Sequence, residues 1–168
     1  MRRPGPMASN TIAVLGVAAG VAAAFGLYLG LFGTPTTDVV NRLTARSSGF
    51  LLGVLGAGTM TSGTVVVSQR FAFQVVEECT VIGPLLVYAA AVLAFPAGLR
   101  GKGWGLAVGV AGLSGLNALR LVTLYFIGAY APRYLDVAHL VIWQGVMVLT
   151  TVLLWLWWVQ RWGRGARA

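Results

Sequence analysis

The sequence predicts an all-α, polytopic membrane protein with a single domain, residues 1–168, and about four transmembrane helices. Hydrophobic residues make up 58% of the chain and charged residues only 10%, too few charges to cover a soluble domain of this size. The apolar residues are gathered in long runs, and a helix needs roughly 20 of them to cross the hydrocarbon core. This length allows one compact bundle and no second domain.

Four apolar runs are predicted to span the membrane, at 11–32, 79–97, 104–127 and 138–159. The first run follows a basic N-terminus, as the core of a signal peptide does. However, it is longer than a typical signal-peptide core, and no small-residue cleavage site follows it. We therefore expect an uncleaved first span.

The stretch 49–69 is apolar enough to resemble a fifth span, and the basic residues decide against it. With four spans and a cytoplasmic N-terminus, the inner segments hold Arg2, Arg3, Arg100, Lys102, Arg161, Arg164 and Arg167, and the outer segments hold Arg42, Arg46, Arg70 and Arg133. A fifth span would invert every later loop and place the larger group outside. Because basic loops stay in the cytoplasm, four spans with both termini inside are favoured.

Residues 33–78 are therefore expected to form one outer segment, which contains three of the four acidic residues, Asp38, Glu77 and Glu78. Its part 44–56 is predicted to be a short helix that lies in, or dips into, the outer leaflet. Its part 64–76 is rich in β-branched and aromatic residues, which predicts extended chain or a small hairpin turning near Ser68–Arg70. Because open strands do not occur in lipid, this part is expected outside the membrane or against the bundle.

Small residues on the third span predict close helix packing. Gly105 and Gly109 form one small-xxx-small face, and Ala107, Ala111 and Gly115 form another. Such faces let two helices approach closely in a membrane.

Composition also excludes several kinds of site. The net charge of +8 lies in short clusters between apolar runs, which is typical of topology signals rather than a nucleic-acid surface. The single cysteine excludes an intrachain disulfide, and a single histidine beside it makes a zinc site improbable. We expect no metal and no cofactor.

The unusual polar residues converge on one side of the membrane in this topology. Cys79 begins the second span at its outer end, and His139 begins the fourth span at its outer end. Arg120 lies 16 residues after Trp104 on the third span, about 24 Å along a helix, which places it in the outer half. Three separate stretches thus bring the only cysteine, the only histidine and the only mid-span charge together.

Each of these residues also has a purely structural interpretation. Cys79 could be a small buried hydrophobe, as most free cysteines are. His139 could be an interfacial histidine satisfied by water. The adjacent Glu77 and Glu78 could form a solvated charged edge.

Arg120 is the hardest of them to explain structurally. An arginine at the centre of a span costs roughly 2.5–3.5 kcal/mol on insertion scales, so it is expected to face a polar cavity or a partner. A salt bridge to Glu77, Glu78 or Asp136 that locks the bundle is the structural alternative. Asn117 lies one turn earlier on the same helical face and can share the cavity.

Cysteine, histidine and a fixed cation together are suited to acyl transfer. A thiolate attacks a carbonyl, a histidine moves protons near neutral pH, and a positive charge stabilises the thiolate or the oxyanion. The spacing matches no signature of soluble cysteine proteases.

In order and spacing, these motifs resemble the exosortase/archaeosortase family of membrane-embedded cysteine transpeptidases. The matching stretches are "EECT" with Cys79, "NALR" with Asn117 and Arg120, and "HLVIWQG" with His139, and the resemblance covers roughly 44–159. The family commonly has Ala-Cys-Ser-Gly at its nucleophile, whereas this chain has Glu-Cys-Thr-Val.

The resemblance implies an enzyme of a bacterial or archaeal cell membrane that acts on exported proteins with a C-terminal sorting signal. That signal comprises a short motif, a hydrophobic helix and a basic tail. Cys79 would form the acyl-enzyme, Arg120 would polarise the thiol and the oxyanion, and His139 would act as general base and acid. Supporting or substrate-binding roles would fall to the other residues in and beside the motifs: Asn117, Glu77, Glu78, Thr80 and Trp143.

Two other classes of protein fit the sequence as alternatives. A small transporter or channel subunit would explain an intramembrane Arg and Asn, since such residues often mark solute paths. An assembly protein of a membrane complex would pair Arg120 with a partner's acid. The partners expected of the enzyme are membrane lipids and exported substrates, with no nucleic acid, and the sequence names neither the recognition motif nor the acceptor.

Overall fold

The computed structural model describes the backbone of residues 6–162 and the side chains of residues 15–162. Its helices are α1 (Pro6–Leu31), α2 (Pro35–Val54), α3 (Ile82–Ala94), α4 (Leu99–Tyr130) and a C-terminal helix (Pro132–Trp162). Between α2 and α3 lie three short strands, β1 (Met60–Ser62), β2 (Val65–Val67) and β3 (Ala72–Gln74). The fold is thus mostly helical, with one small antiparallel sheet in the order β1-β2-β3.

Two helices are long and apolar enough to cross a membrane: α4 and the C-terminal helix. Leu15–Leu31 of α1 is long and apolar enough only when it is taken together with α2, and the two helices are bent by 88° from each other. If this bent pair is one span, the number of candidate spans rises to three. These helices identify a membrane protein, as the sequence predicts. The predicted total of four spans is not confirmed.

The predicted second span, 79–97, is shorter than expected. The helix α3 has 13 residues, about 20 Å in length, whereas the hydrocarbon core is about 30 Å thick. At its start, Thr80 is extended with ψ 167° and follows a 3₁₀ turn formed by Glu77–Cys79. At its end, Pro96 restricts Phe95 to an extended conformation, with φ −73° and ψ 138°. The helix is packed between α1, α4 and the C-terminal helix.

The predicted short helix at 44–56 begins earlier than expected, at Pro35, and ends at Val54. Proline at the first position and Asp38 in the first turn both favour a helix start there. One face is buried and mostly polar: Thr37, Asn41, Ala45, Ser48 and Leu52. Four large apolar residues of the helix are exposed: Val39, Leu43, Phe50 and Val54. Charged side chains are exposed as well, among them those of Asp38 and Arg42, which form a salt bridge. The helix therefore buries several uncharged polar residues while it exposes both apolar and charged ones.

The predicted hairpin in 64–76 is confirmed, since β2 and β3 pair antiparallel and turn at Ser68–Phe71. The third strand, β1, was not predicted. Residues 49–69 form no continuous helix, because α2 ends at Val54 and two strands follow.

Aromatic residues attach the sheet to the end of α4. Tyr125 donates a hydrogen bond from its hydroxyl to Oγ of Ser68 at 2.7 Å. Its ring lies 6.1 Å from that of Phe71 and 6.4 Å from that of Phe73, measured between centroids. The sheet is thereby held over the segment that precedes α3.

One of the two predicted small-residue faces makes a close helix contact. Gly105 and Gly109 are buried against Trp158 and Tyr88, and a Cβ atom at either glycine would collide with these rings. The aromatic side chains also donate hydrogen bonds to α4: Tyr88 to the carbonyl of Gly105 at 3.1 Å and Trp158 to that of Gly101 at 2.8 Å. The face of Ala107, Ala111 and Gly115 is exposed.

Candidate functional site

The segment that carries Cys79 is a tight turn closed by its own hydrogen bonds. The N–H of Cys79 donates to the carbonyl of Val76 at 2.9 Å, and the N–H of Thr80 donates to that of Glu77 at 3.0 Å. The Thr80 hydroxyl also donates to the Glu77 carbonyl, at 2.7 Å. Thr80 is buried, so it fixes the turn from within as α3 begins.

Two side chains of α4 reach this turn from the side. Asn117 donates from Nδ2 to the carbonyl oxygen of Cys79 at 2.9 Å. Arg120 donates from its guanidinium to the carbonyl oxygen of Glu78 at 3.1 Å. Because residues three apart share a helix face, the Asn-x-x-Arg spacing matches two consecutive carbonyls. Both side chains are buried, with exposed fractions of 4% and 3%.

Each of these two side chains keeps a buried polar atom without a partner. Oδ1 of Asn117 and Nε of Arg120 make no hydrogen bond. Within residues 15–162, the salt bridge present joins Arg42 to Asp38, and no carboxylate pairs with Arg120. The salt bridge considered as the structural explanation of Arg120 is therefore not formed with Glu77, Glu78 or Asp136. Buried, unpaired donors are costly, so this guanidinium is a strong candidate for ligand binding.

The Cys79 side chain is 8% exposed and packs in an apolar cluster with Leu52, Val75 and Leu121. The Arg120 guanidinium binds the carbonyl of the preceding residue, Glu78, so the cation lies on the same turn as Cys79. Cys79 is thus both buried, as in its structural interpretation, and adjacent to a cation, as a nucleophile would require.

The C-terminal helix brings His139 to the same region. His139 lies in a π-helical segment, Ala138–Trp143, and is half-buried. This segment packs against α4, the helix that carries Arg120. His139 forms no hydrogen bond to Cys79. π-Helical segments inside α-helices are frequent at functional sites.

The two glutamates face different parts of the molecule. Glu77 accepts hydrogen bonds from the N–H of Gly33 at 3.3 Å and from the Thr37 hydroxyl at 3.2 Å, at the corner between α1 and α2. A hydrogen bond from its own backbone N–H, followed by these two, holds the pKa of Glu77 below its usual value. Glu77 therefore fastens the turn to α2, whereas Glu78 is exposed and lines a cavity.

This cavity, of about 340 Å³, lies where α1, α3 and the C-terminal helix meet. Polar residues lie together on its lining: Glu78, Thr80, Arg120 and Gln144. The remainder is mostly apolar, with Phe25, Pro84 and Met147 among the lining residues. Cys79, His139 and Trp143 do not line it. A mainly apolar cavity with a few polar groups is typical of a binding site.

Sequence reasoning missed Tyr28 and Gln144 as lining residues. Gln144 carried a signal, because it is a polar residue within the apolar run 138–159. Tyr28 carried none, because its position depends on how α1 packs against α3.

A metal site receives no support, since the residues described contain no group of three His, Cys, Asp or Glu side chains that could hold an ion. No family model, curated protein or solved structure matches the chain.

Proposed function

We propose that this protein is an exosortase-like, membrane-embedded cysteine transpeptidase. It cleaves a C-terminal sorting signal from exported proteins and transfers them to an acceptor nucleophile. The observation that carries the proposal is the pair of hydrogen bonds from Asn117 and Arg120 to the carbonyls of Cys79 and Glu78. Two motifs separated by 38 residues in the chain meet there, and the π-helical segment with His139 packs against the same helix, α4.

The proposed chemistry is acyl transfer through a thioester. The Cys79 thiol passes its proton to His139, and the resulting thiolate attacks a peptide carbonyl of the substrate. The C–N bond breaks as His139 protonates the departing amine, so the tail segment is released. An acceptor hydroxyl, amine or water then attacks the thioester and frees the thiol. Arg120 stabilises the thiolate and the oxyanion through its charge and its unpaired Nε.

The buried position of Cys79 places one requirement on this mechanism. The thiol faces the apolar cluster, whereas its neighbours Glu78 and Thr80 line the cavity. The turn must therefore rotate the Cys79 side chain towards the cavity when substrate binds. In the resting state, burial protects the thiol from oxidants and adventitious reagents.

The proposed topology has four spans, with both termini in the cytoplasm and the site at the outer side of the cell membrane. The 88° bend between α1 and α2 supports it, because a spanning α1 then leaves α2 nearly parallel to the membrane plane. The exposed apolar residues of α2 fit the outer leaflet in that position. The short α3 is the second of the four crossings in this topology, and the extended segments at its two ends complete that crossing. A site at this level suits substrates that are themselves tethered to the membrane.

The test uses a reporter: a soluble domain followed by an exported C-terminal sequence of the same genome, with an apolar helix of about 20 residues and a basic tail. We expect wild-type protein in lipid nanodiscs to shorten the reporter and Cys79→Ala to leave it intact. Arg42→Gln, which breaks an exposed salt bridge to Asp38, serves as the folded control. Cleavage by Cys79→Ala at the wild-type rate would refute the proposal.

An added thiol reagent separates the proposal from its alternatives. A membrane-impermeant reagent added at the outer face during turnover should abolish cleavage, because substrate binding turns the Cys79 side chain towards the cavity. A transporter or an assembly protein would keep its function, because neither role needs Cys79.

A further inference from the structure

We propose that the free edge of β3 binds the substrate as an added strand, and that this pairing delivers an extended peptide to the Cys79 turn. This inference rests on the proposed function, because the peptide is taken to be the segment around the scissile bond. It concerns main-chain hydrogen bonds to Ala72, Gln74 and Val76, three residues to which the sequence assigns no role.

The register of the sheet determines which backbone groups are free. The N–H of Ser68 donates to Phe71 at 3.0 Å, and the N–H of Val75 donates to Thr64 at 2.8 Å. Because backbone groups alternate along a strand, Phe71, Phe73 and Val75 turn theirs towards β2. Ala72, Gln74 and Val76 consequently turn their N–H groups away from the sheet.

These outward residues are also uncovered. Ala72, Gln74 and Val76 are all exposed, whereas Phe71, Phe73 and Val75 pack inward against the apolar cluster. Among the described elements, β2 is the strand that pairs with β3, and α4 packs against the inward face of β3 through Tyr125 and Phe73. A strand edge with free N–H and C=O groups is a template for pairing with another extended chain.

The strand at the opposite edge lies close to α2. Thr59 donates from its hydroxyl to the carbonyl of Gly49 in α2 at 2.9 Å. Gly49 is so close to Thr61 that a Cβ atom at the glycine would collide with the threonine hydroxyl. Because α2 packs beside β1, a partner strand has more room at β3.

The position of β3 in the chain identifies the occupant. Val76 is three residues before Cys79, and its carbonyl accepts the Cys79 N–H that closes the turn. A peptide paired along Ala72–Val76 is thus led directly to the turn. At the turn, Nε of Arg120 and Oδ1 of Asn117 have no partner and can form hydrogen bonds with the next polar groups of the peptide. A protein segment in extended conformation fits this path, whereas a lipid or an ion does not use a strand edge.

Main-chain pairing predicts a specific pattern of substrate preference. The three outward N–H groups recognise backbone, so several side chains should be tolerated at the paired positions. Proline should be excluded at substrate positions whose N–H faces β3, since it has no donor.

The direct test is amide exchange in Cys79→Ala protein, which binds the reporter without cleaving it. Adding the reporter described above should slow exchange at Ala72, Gln74 and Val76 at least tenfold. The Thr61 amide, on the opposite edge, should not change. Unchanged exchange at the three amides would overturn the inference, even if cleavage by the wild-type protein requires Cys79.

A proline pair gives the kinetic test. Gln74→Pro removes an outward backbone donor and keeps the backbone bonds to β2, although it loses a long, exposed side-chain bond to Thr64 at 3.5 Å. It should lower kcat/KM about tenfold, the effect of one hydrogen bond. Thr61→Pro makes the same change on β1 and should leave kcat/KM within twofold. Thermal unfolding checks that both variants are folded, and equal kcat/KM values would contradict the inference.

The remaining outcomes separate the inference from the proposed function. Suppose that the reporter slows amide exchange at Ala72, Gln74 and Val76 while cleavage persists in Cys79→Ala. This result would support strand pairing and refute the cysteine mechanism. Suppose instead that amide exchange slows without reporter as the protein concentration rises. This would show that a second copy of the chain occupies the edge of β3, and the inference would then be wrong.

Discussion

Asn117 donates a hydrogen bond from Nδ2 to the carbonyl oxygen of Cys79 at 2.9 Å, across 38 residues of sequence. This bond fixes the backbone of the candidate nucleophile to the long helix α4. Arg120 makes the equivalent bond to the preceding carbonyl. The turn before α3 is therefore held at two adjacent carbonyls by one helix face, which places the guanidinium on the turn that carries Cys79.

The first prediction concerns the stability that this bond provides. Asn117→Leu keeps a similar volume but leaves the buried Cys79 carbonyl without its donor. We expect a loss of about 1–3 kcal/mol, measured by thermal unfolding in detergent. Thr123→Val is the matched control, because its hydroxyl bonds only to carbonyls of its own helix. Equal melting temperatures for the two variants would show that the bond does not stabilise the turn.

The second prediction separates a structural Arg120 from a functional one. Arg120→Met leaves the Glu78 carbonyl without its donor but leaves no carboxylate unpaired. It should therefore lower the free energy of unfolding by no more than about 1–3 kcal/mol. Reporter cleavage should fall at least 100-fold, as when an oxyanion donor is removed. Arg120→Lys should recover only part of the activity, because an ammonium lacks the planar fork.

Contrary results would have a clear meaning. A variant Arg120→Met that fails to fold would support an arginine that locks the bundle. A folded and fully active Arg120→Met would remove Arg120 from the mechanism.

The sequence predicted the parts of the fold that depend on local pattern. The hairpin in 64–76 follows from β-branched and aromatic residues, and the Asn-x-x-Arg spacing implies one helix face. The length of α3 was overestimated, although Pro96 marked its end. The hydropathy of 79–97 continues past that proline, and apolar character alone does not reveal where a helix stops.

Other features depend on contacts between distant residues. The strand β1 has three residues, Met60–Ser62, and it forms because β2 pairs with it. The separation of Glu77 from Glu78 depends on Gly33 and Thr37, which approach only when α1 and α2 meet at their bend. The sequence predicts that the helix of the outer segment begins at 44, whereas α2 begins at Pro35. Its first half is polar, and buried polar residues such as Thr37 and Asn41 give no apolar pattern from which a helix could be predicted.

The third prediction uses the pKa of Glu77. Hydrogen bonds lower this pKa in the folded protein. The stability it contributes is therefore present above the unfolded-state pKa of glutamate and is lost as the pH falls through the folded-state value. Melting temperatures recorded from pH 7 to pH 3 should fall more steeply for the wild type than for Glu77→Gln. Glu78→Gln, whose carboxylate is exposed, should follow the wild type, and parallel curves for all three would contradict the role of Glu77.

The fourth prediction concerns the contact between α3 and α4. Gly109 lies under the Tyr88 ring, and a Cβ atom there would overlap it. Gly109→Ala should therefore destabilise the protein by about 1–3 kcal/mol, the usual effect of overpacking. Gly115→Ala is the matched control on the same helix, where the added Cβ meets open space. This control should be neutral or stabilising, because alanine favours helix over glycine by about 1 kcal/mol. Similar melting temperatures would mean that α3 can move away from α4 without cost.

The fifth prediction tests the orientation on which the proposed function depends. In a Cys79→Ala background, single cysteines at Arg70→Cys and Arg100→Cys report on the two ends of α4, and both native side chains are exposed. With the site outside, an impermeant maleimide should label Arg70→Cys in intact cells and Arg100→Cys only after permeabilisation. The physical reason is the excess of basic residues on the side of Arg100. The reverse labelling pattern would place the Cys79 turn on the cytoplasmic side, away from exported proteins. The sorting role would then be wrong, although the hydrogen bonds of Asn117 and Arg120 would remain.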